Sequence, residues 1–197
     1  CQTDEQFPRQ QILDIKALVN RKFRKMVKQT DNWNFPSVIM GAFLVIVSSC
    51  QDDEINSKGF TDSRDGKFYK TVVIGNQGWM AENLAFAPSE GNFWAYDHND
   101  ENIEIYGYLY DWETACDVCP DGWHLPTYAE WDQLIDNLSG FDVAGGKLKE
   151  TGTMHWNEPN EGATNETGFT ALPGGIYNRS RGEFIQGGKL GAYWSDQ

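Results

Sequence analysis

Apolar positions fall into three textures along the chain. The first is a continuous run, Val38 to Val47, flanked by polar residues. The second is strand-like: Lys67 to Ile74 is rich in β-branched and aromatic residues, Gly75-Asn76-Gln77-Gly78 follows, and Trp79 to Leu84 resumes the apolar character. Two such runs around a Gly/Asn turn predict a β-hairpin. Residues 87–105 are polar, with Phe93, Trp94 and Tyr96 set among them, and predict a long loop. Tyr106 to Tyr110 predicts a short strand leading into a helix over Asp111–Val118. There Trp112, Ala115, Cys116 and Cys119 share one face, and Pro120 ends it.

A second helix is announced by Thr127 and Glu130, the spacing at which each side chain satisfies a free backbone N–H of the other's residue. Trp131, Leu134, Ile135 and Leu138 supply its apolar stripe, and Gly140 stands at the expected C-cap. Beyond it, Gly145-Gly146, Gly152, Asn157, Asn160, Gly162, Asn165, Gly168 and Gly174-Gly175 predict loops and short strands instead of helices. Two short helices among short antiparallel strands and long loops make an α+β fold.

Charge divides this picture. The chain has 197 residues and a net charge of −13, but residues 1–50 hold seven Lys/Arg against four Asp/Glu, leaving nine against 25 in residues 51–197. The acidic part lacks the basic face that nucleic-acid binding requires. The basic cluster Arg21 to Lys28 precedes the apolar run, which ends in Val47-Ser48-Ser49-Cys50. Ten residues reach only about 15 Å as a helix, half of a roughly 30 Å hydrocarbon core. A basic region, a short apolar run and small residues before a cleavage point form the pattern of an export signal.

Cys50 after Val-Ser-Ser resembles the bacterial lipobox, whose Cys is lipidated and begins the mature chain. Gln51-Asp52-Asp53-Glu54 resembles the acidic tract that sends some lipoproteins to the cell surface. The expected organisation is therefore an upstream segment over 1–25, a signal peptide over 26–49 starting at Met26, an acidic linker over 50–60 and a globular domain over 61–197. A lipidated Cys1 is the competing N-terminus, because Cys-Gln-Thr-Asp-Glu parallels Cys-Gln-Asp-Asp-Glu.

Several strings run in an order that is not generic: Asp65-Gly66-Lys67, Gly78-Trp79-Met80-Ala81-Glu82-Asn83-Leu84, Leu109-Tyr110-Asp111-Trp112, Gly122-Trp123-His124-Leu125-Pro126-Thr127, and Gly168-Phe169-Thr170-Ala171-Leu172-Pro173-Gly174-Gly175. Together they closely resemble the Fibrobacter succinogenes major paralogous domain, a family of secreted and lipid-anchored bacterial proteins. A more distant likeness, through Trp112, Ala115, Cys119, Gly122-Trp123, Leu125-Pro126 and Glu130, is to the C-type-lectin-like fold and the formylglycine-generating enzymes. The resemblance implies a C-type-lectin-like domain in a bacterial cell envelope, surface-exposed at the outer membrane. It also implies a closing strand with a further Cys beyond Tyr193-Trp194-Ser195, so the domain is expected to be incomplete at its C-terminus.

Candidate chemistry is sparse. Cys116-x-x-Cys119 is open to three readings: a structural disulfide in an exported protein, free thiols, or a redox or half-zinc site. Zinc needs four ligands, and His98, His124 and His155 are scattered. His124, between Trp123 and Leu125, reads as packed. Glu158-Pro159-Asn160 resembles the calcium and sugar ligands of mannose-type lectins, and such oxygens suit calcium. Otherwise no cofactor is expected. Trp94, Tyr96, Trp156 and Tyr177 lie in loop-like stretches and are candidate sugar-stacking residues, whereas Trp79, Trp112, Trp123 and Trp131 read as core. No Gly-x-Ser-x-Gly, His-Glu-x-x-His or phosphate loop occurs.

The expected function is a lipid-anchored surface protein whose non-catalytic domain binds or adheres, with a glycan or an envelope protein as partner. A purely structural envelope protein is the first alternative, and an enzyme related to the formylglycine-generating group the second.

Overall fold

A computed structural model of the chain describes residues 59–196, together with the backbone of three strands before them: β1 (Ile12–Asp14), β2 (Met40–Phe43) and β3 (Val47–Ser48). Cys1, the basic cluster 21–28 with Met26, Cys50 and the acidic stretch 51–54 lie outside the described residues. No helix among the described residues is long and apolar enough to cross a membrane.

The expected hairpin forms as β6 (Thr71–Ile74) and β7 (Gln77–Met80), antiparallel, with Ile74 opposite Gln77 across the two-residue turn Gly75-Asn76. Gly75 has a φ of +65°, a backbone conformation that favours glycine, and the Asn137 side chain lies against it. The run from Lys67 breaks at Lys70. Ahead of it, β5 (Phe68–Tyr69) pairs with β4 (Phe60–Thr61), and β3 adds to β7 on the other side of the hairpin.

The larger sheet has seven strands. Its main path runs β1, β12 (Ala192–Trp194), β2, β10 (Ile176–Asn178) and β11 (Glu183–Ile185). Off that path, β9 (Tyr108–Tyr110) pairs with both β2 and β8 (Phe93–Ala95). All its ladders are antiparallel except β12 with β2, which is parallel. The α+β class holds, but the stretch 87–105 carries more than a loop: it contains β8, two single-turn 3₁₀ segments and α1 (Ile103–Tyr106).

Both expected helices are present. In α2 (Trp112–Asp117) the Asp111 carboxylate caps the Thr114 N–H at 3.0 Å. In α3 (Tyr128–Asn137) Thr127 and Glu130 form the reciprocal cap. Gly140 corrects an expectation. It is no C-cap but precedes a further helix, α4 (Phe141–Leu148), which contains Gly145 and Gly146. The chain leaves α3 through Leu138 and Ser139, the latter at φ +74°. Counting by composition missed α4 because its glycines serve packing: a Cβ on Gly146 would stand 2.2 Å from the Gly162 carbonyl oxygen.

The core lies between sheet and helices and is aromatic. Trp79, Trp131, Trp194, Tyr69, Tyr110, Tyr193 and Phe169 are all buried. Trp79 and Trp131 have ring centroids 4.7 Å apart. The Trp194 indole N–H donates to the Tyr110 carbonyl at 2.8 Å, and that of Trp131 donates to the Trp194 carbonyl at 3.3 Å. Indoles with satisfied N–H groups give a core both area and orientation. Trp112 and Trp123 pack against this cluster while keeping some exposure.

Candidate functional site

Alternation in the short strand β5 sends Tyr69 into the core and leaves Phe68 facing out, 52% exposed. Ile105, on the four-residue helix α1, is 43% exposed. Both line a groove of about 470 Å³ floored by Met80, Phe169, Leu172 and Tyr193. A volume of this size falls within the range of small-ligand sites.

The polar groups of the groove are arranged in pairs. Lys67 Nζ lies 3.7 Å from Glu104, and Lys70 Nζ lies 3.7 Å from Glu82. His155 Nδ1 is 2.9 Å from both oxygens of the Glu150 carboxylate, and the ring stands edge-on to Tyr106. That contact makes Nδ1 the protonated nitrogen and fixes the imidazole plane. Asn83 donates its amide to the Tyr106 carbonyl at 2.8 Å, which leaves its oxygen as an acceptor.

Thr170 lines the same groove with φ +58°, a backbone conformation rare for a β-branched residue. It is held there reciprocally: its N–H donates to Asn165 Oδ1 at 2.9 Å, and Asn165 Nδ2 donates to its hydroxyl at 3.0 Å. Asn165 itself sits at φ +47°. Strain of this kind persists only where the surroundings over-determine it.

Trp94, Tyr96, Trp156, Tyr177, Glu158, Asn160, Cys116 and Cys119 do not line this groove, whereas His155, one of the three scattered histidines, does. Trp156 and Tyr177 are 4% and 8% exposed, which corrects the expectation that they reach solvent. Trp156 donates its indole N–H to the Ala171 carbonyl and lies under the Lys149 ammonium, 5.0 Å from its ring centroid. Tyr177 is on β10, packed in tilted contacts against half-buried Trp94 at 4.5 Å and Phe184 at 4.7 Å. Tyr96 joins the same cluster through Phe184 at 5.2 Å. For Trp94, Tyr96 and Tyr177 the expected loops are β8, the turn after it and β10, whereas Trp156 does lie in an irregular stretch and is buried by its own contacts.

Glu158 is exposed, but Asn160 turns inward. Its amide donates to the Glu150 and Gly152 carbonyls at 2.7 and 2.8 Å, and its buried Oδ1 has no partner. Among the described residues no three His, Cys, Asp or Glu side chains gather as metal ligands. Cys116 and Cys119 are unbridged; burial pushes both thiols up to about 12. His124 is not packed: its side chain is 40% exposed, and its Nε2 lies 2.9 Å from Glu130.

Phe68, Ile105 and Glu150 are not marked by any sequence motif, and His155 stands there only as one of three scattered histidines. A strand of two residues does not declare which face is buried, and a histidine five residues from its carboxylate shows no metal-ligand spacing. The sequence profile described as the Fibrobacter succinogenes major domain matches residues 72–197. No curated protein and no solved structure matches the chain.

Proposed function

From the premise that the chain belongs to the Fibrobacter succinogenes major domain family, we propose that it is a non-catalytic binding module with its ligand site in the groove beside Phe68. The ligand in this reading is a glycan. The module has a C-type-lectin-like fold and is held at the bacterial surface by a lipid on Cys50. The observation that carries the reading is the exposed Phe68 ring at the rim of a pocket lined by paired polar groups. An aromatic face packs against the C–H face of a sugar ring, while fixed acceptors take its hydroxyls. Both lysines named in the groove have a carboxylate partner at 3.7 Å, which supports a recognition surface.

The test is a pull-down of the full chain on a panel of immobilised plant, host and bacterial polysaccharides. Binding by the wild type, reduced about tenfold by Phe68→Ala, is the expected result. Binding that Phe68→Ala leaves intact would remove the groove from the argument. A clean negative on every polysaccharide would turn it toward a protein partner.

A further inference from the structure

Resting on that reading, we infer that the groove selects neutral glycans and rejects those carrying carboxylate or sulfate groups. Among the described residues lining the groove, the two lysines are the cations that an acidic sugar would have to recruit. Each already faces a carboxylate of its own groove, Lys67 that of Glu104 and Lys70 that of Glu82. An incoming carboxylate would have to displace one of these partners and leave it beside the ligand, a like-charge contact that opposes binding. The third pair, Glu150 with His155, adds a further carboxylate, and the imidazole nitrogen facing it is already engaged at 2.9 Å.

Over longer distances the balance has the same sign. The chain carries −13, with the acidic excess concentrated after residue 50, so a polyanion is repelled before it arrives. What the groove does offer is acceptors: the carboxylates, and the Asn83 oxygen left over when its amide binds the Tyr106 carbonyl. A ligand rich in hydroxyl donors, with an apolar ring face for Phe68 and no charge, is complementary to that set.

The experiment compares the full chain on neutral polysaccharides (mannan, xylan, mixed-linkage glucan) and polyanions (polygalacturonate, alginate, heparin), from low salt to about 0.5 M NaCl. Expected is binding to at least one neutral polymer about tenfold tighter than to any polyanion. That binding should be nearly independent of salt and weakened by Phe68→Ala. Tighter, salt-sensitive binding to a polyanion that Phe68→Ala still weakens would overturn the preference for neutral ligands and leave the groove as the site. Binding to neither class would overturn the glycan reading itself. Glu82→Gln gives an independent check: it frees the Lys70 ammonium from its carboxylate, so polyanion binding should rise about threefold or more over the wild type. Polyanion binding unchanged by Glu82→Gln would show that the paired carboxylate is not what excludes acidic ligands and would sink the inference.

Discussion

Asp62 is a buried carboxylate, 2% exposed, in the turn that joins β4 to β5. Arg64 answers it with a short ion pair at 2.6 Å and reaches on to the Val118 carbonyl at 2.9 Å, with the Phe86 ring under its guanidinium. The arginine thus ties the turn to the end of α2. Removing it leaves a charge buried without its partner. Arg64→Ala should cost about 2–3 kcal/mol, below the full penalty for a buried pair because the guanidinium reaches solvent; denaturant midpoints check it. The hydrogen bond from Arg64 holds the Asp62 carboxyl below the usual carboxylate range. Its contribution is therefore present above the unfolded value, near 3.9, and fades as pH falls through the lower folded value. Asp62→Asn should flatten stability against pH in that acid window. Cys116 and Cys119, with thiols pushed up to about 12 by burial, should react with a thiol reagent at pH 8 far more slowly in the native protein than in denaturant. Native and denatured labelling rates that coincide would contradict this. For Asn160, whose amide is tied to the backbone, chelator should leave the melting temperature unchanged.

At the level of elements, the sequence was most readable where one rule acted alone. The Thr127/Glu130 cap of α3 needed only three-residue spacing, and the β6–β7 hairpin only a Gly/Asn turn between apolar runs. Thr127→Ala should lower stability by about 1 kcal/mol, measurable by chemical denaturation. The reading failed where a long-range contact overrode a local tendency. Helix α4 keeps two glycines that lower helix propensity, because the Gly162 carbonyl lies against Gly146 and the Thr164 N–H donates to the Gly146 carbonyl at 2.9 Å. On propensity alone Gly146→Ala would stabilise by about 1 kcal/mol; the clash should reverse the sign and cost more than that, as a thermal or denaturant titration will show. The aromatic candidates failed for a related reason. Trp94, Tyr96 and Tyr177 meet across β8, β10 and the turn after β8, a meeting no single segment encodes. The groove was equally hidden, since its walls come from β5, α1 and the segment around His155.

Across the whole molecule, the span from Lys149 to Gly175 has no helix and no strand longer than an isolated bridge, yet it is fastened along its length. The Lys149 ammonium donates to the Glu161 carbonyl, Trp156 to Ala171, Asn160 to Glu150 and Gly152, and the Thr167 hydroxyl to Lys147. Together with the Asn165–Thr170 lock, these bonds take the place of a secondary-structure ladder. Glu150, His155 and Thr170 therefore reach the groove already positioned, and little chain entropy remains to be lost when a ligand arrives. The consequence is kinetic. Association should be a single step, with an observed rate that climbs linearly with ligand concentration and shows no plateau from a slow loop closure.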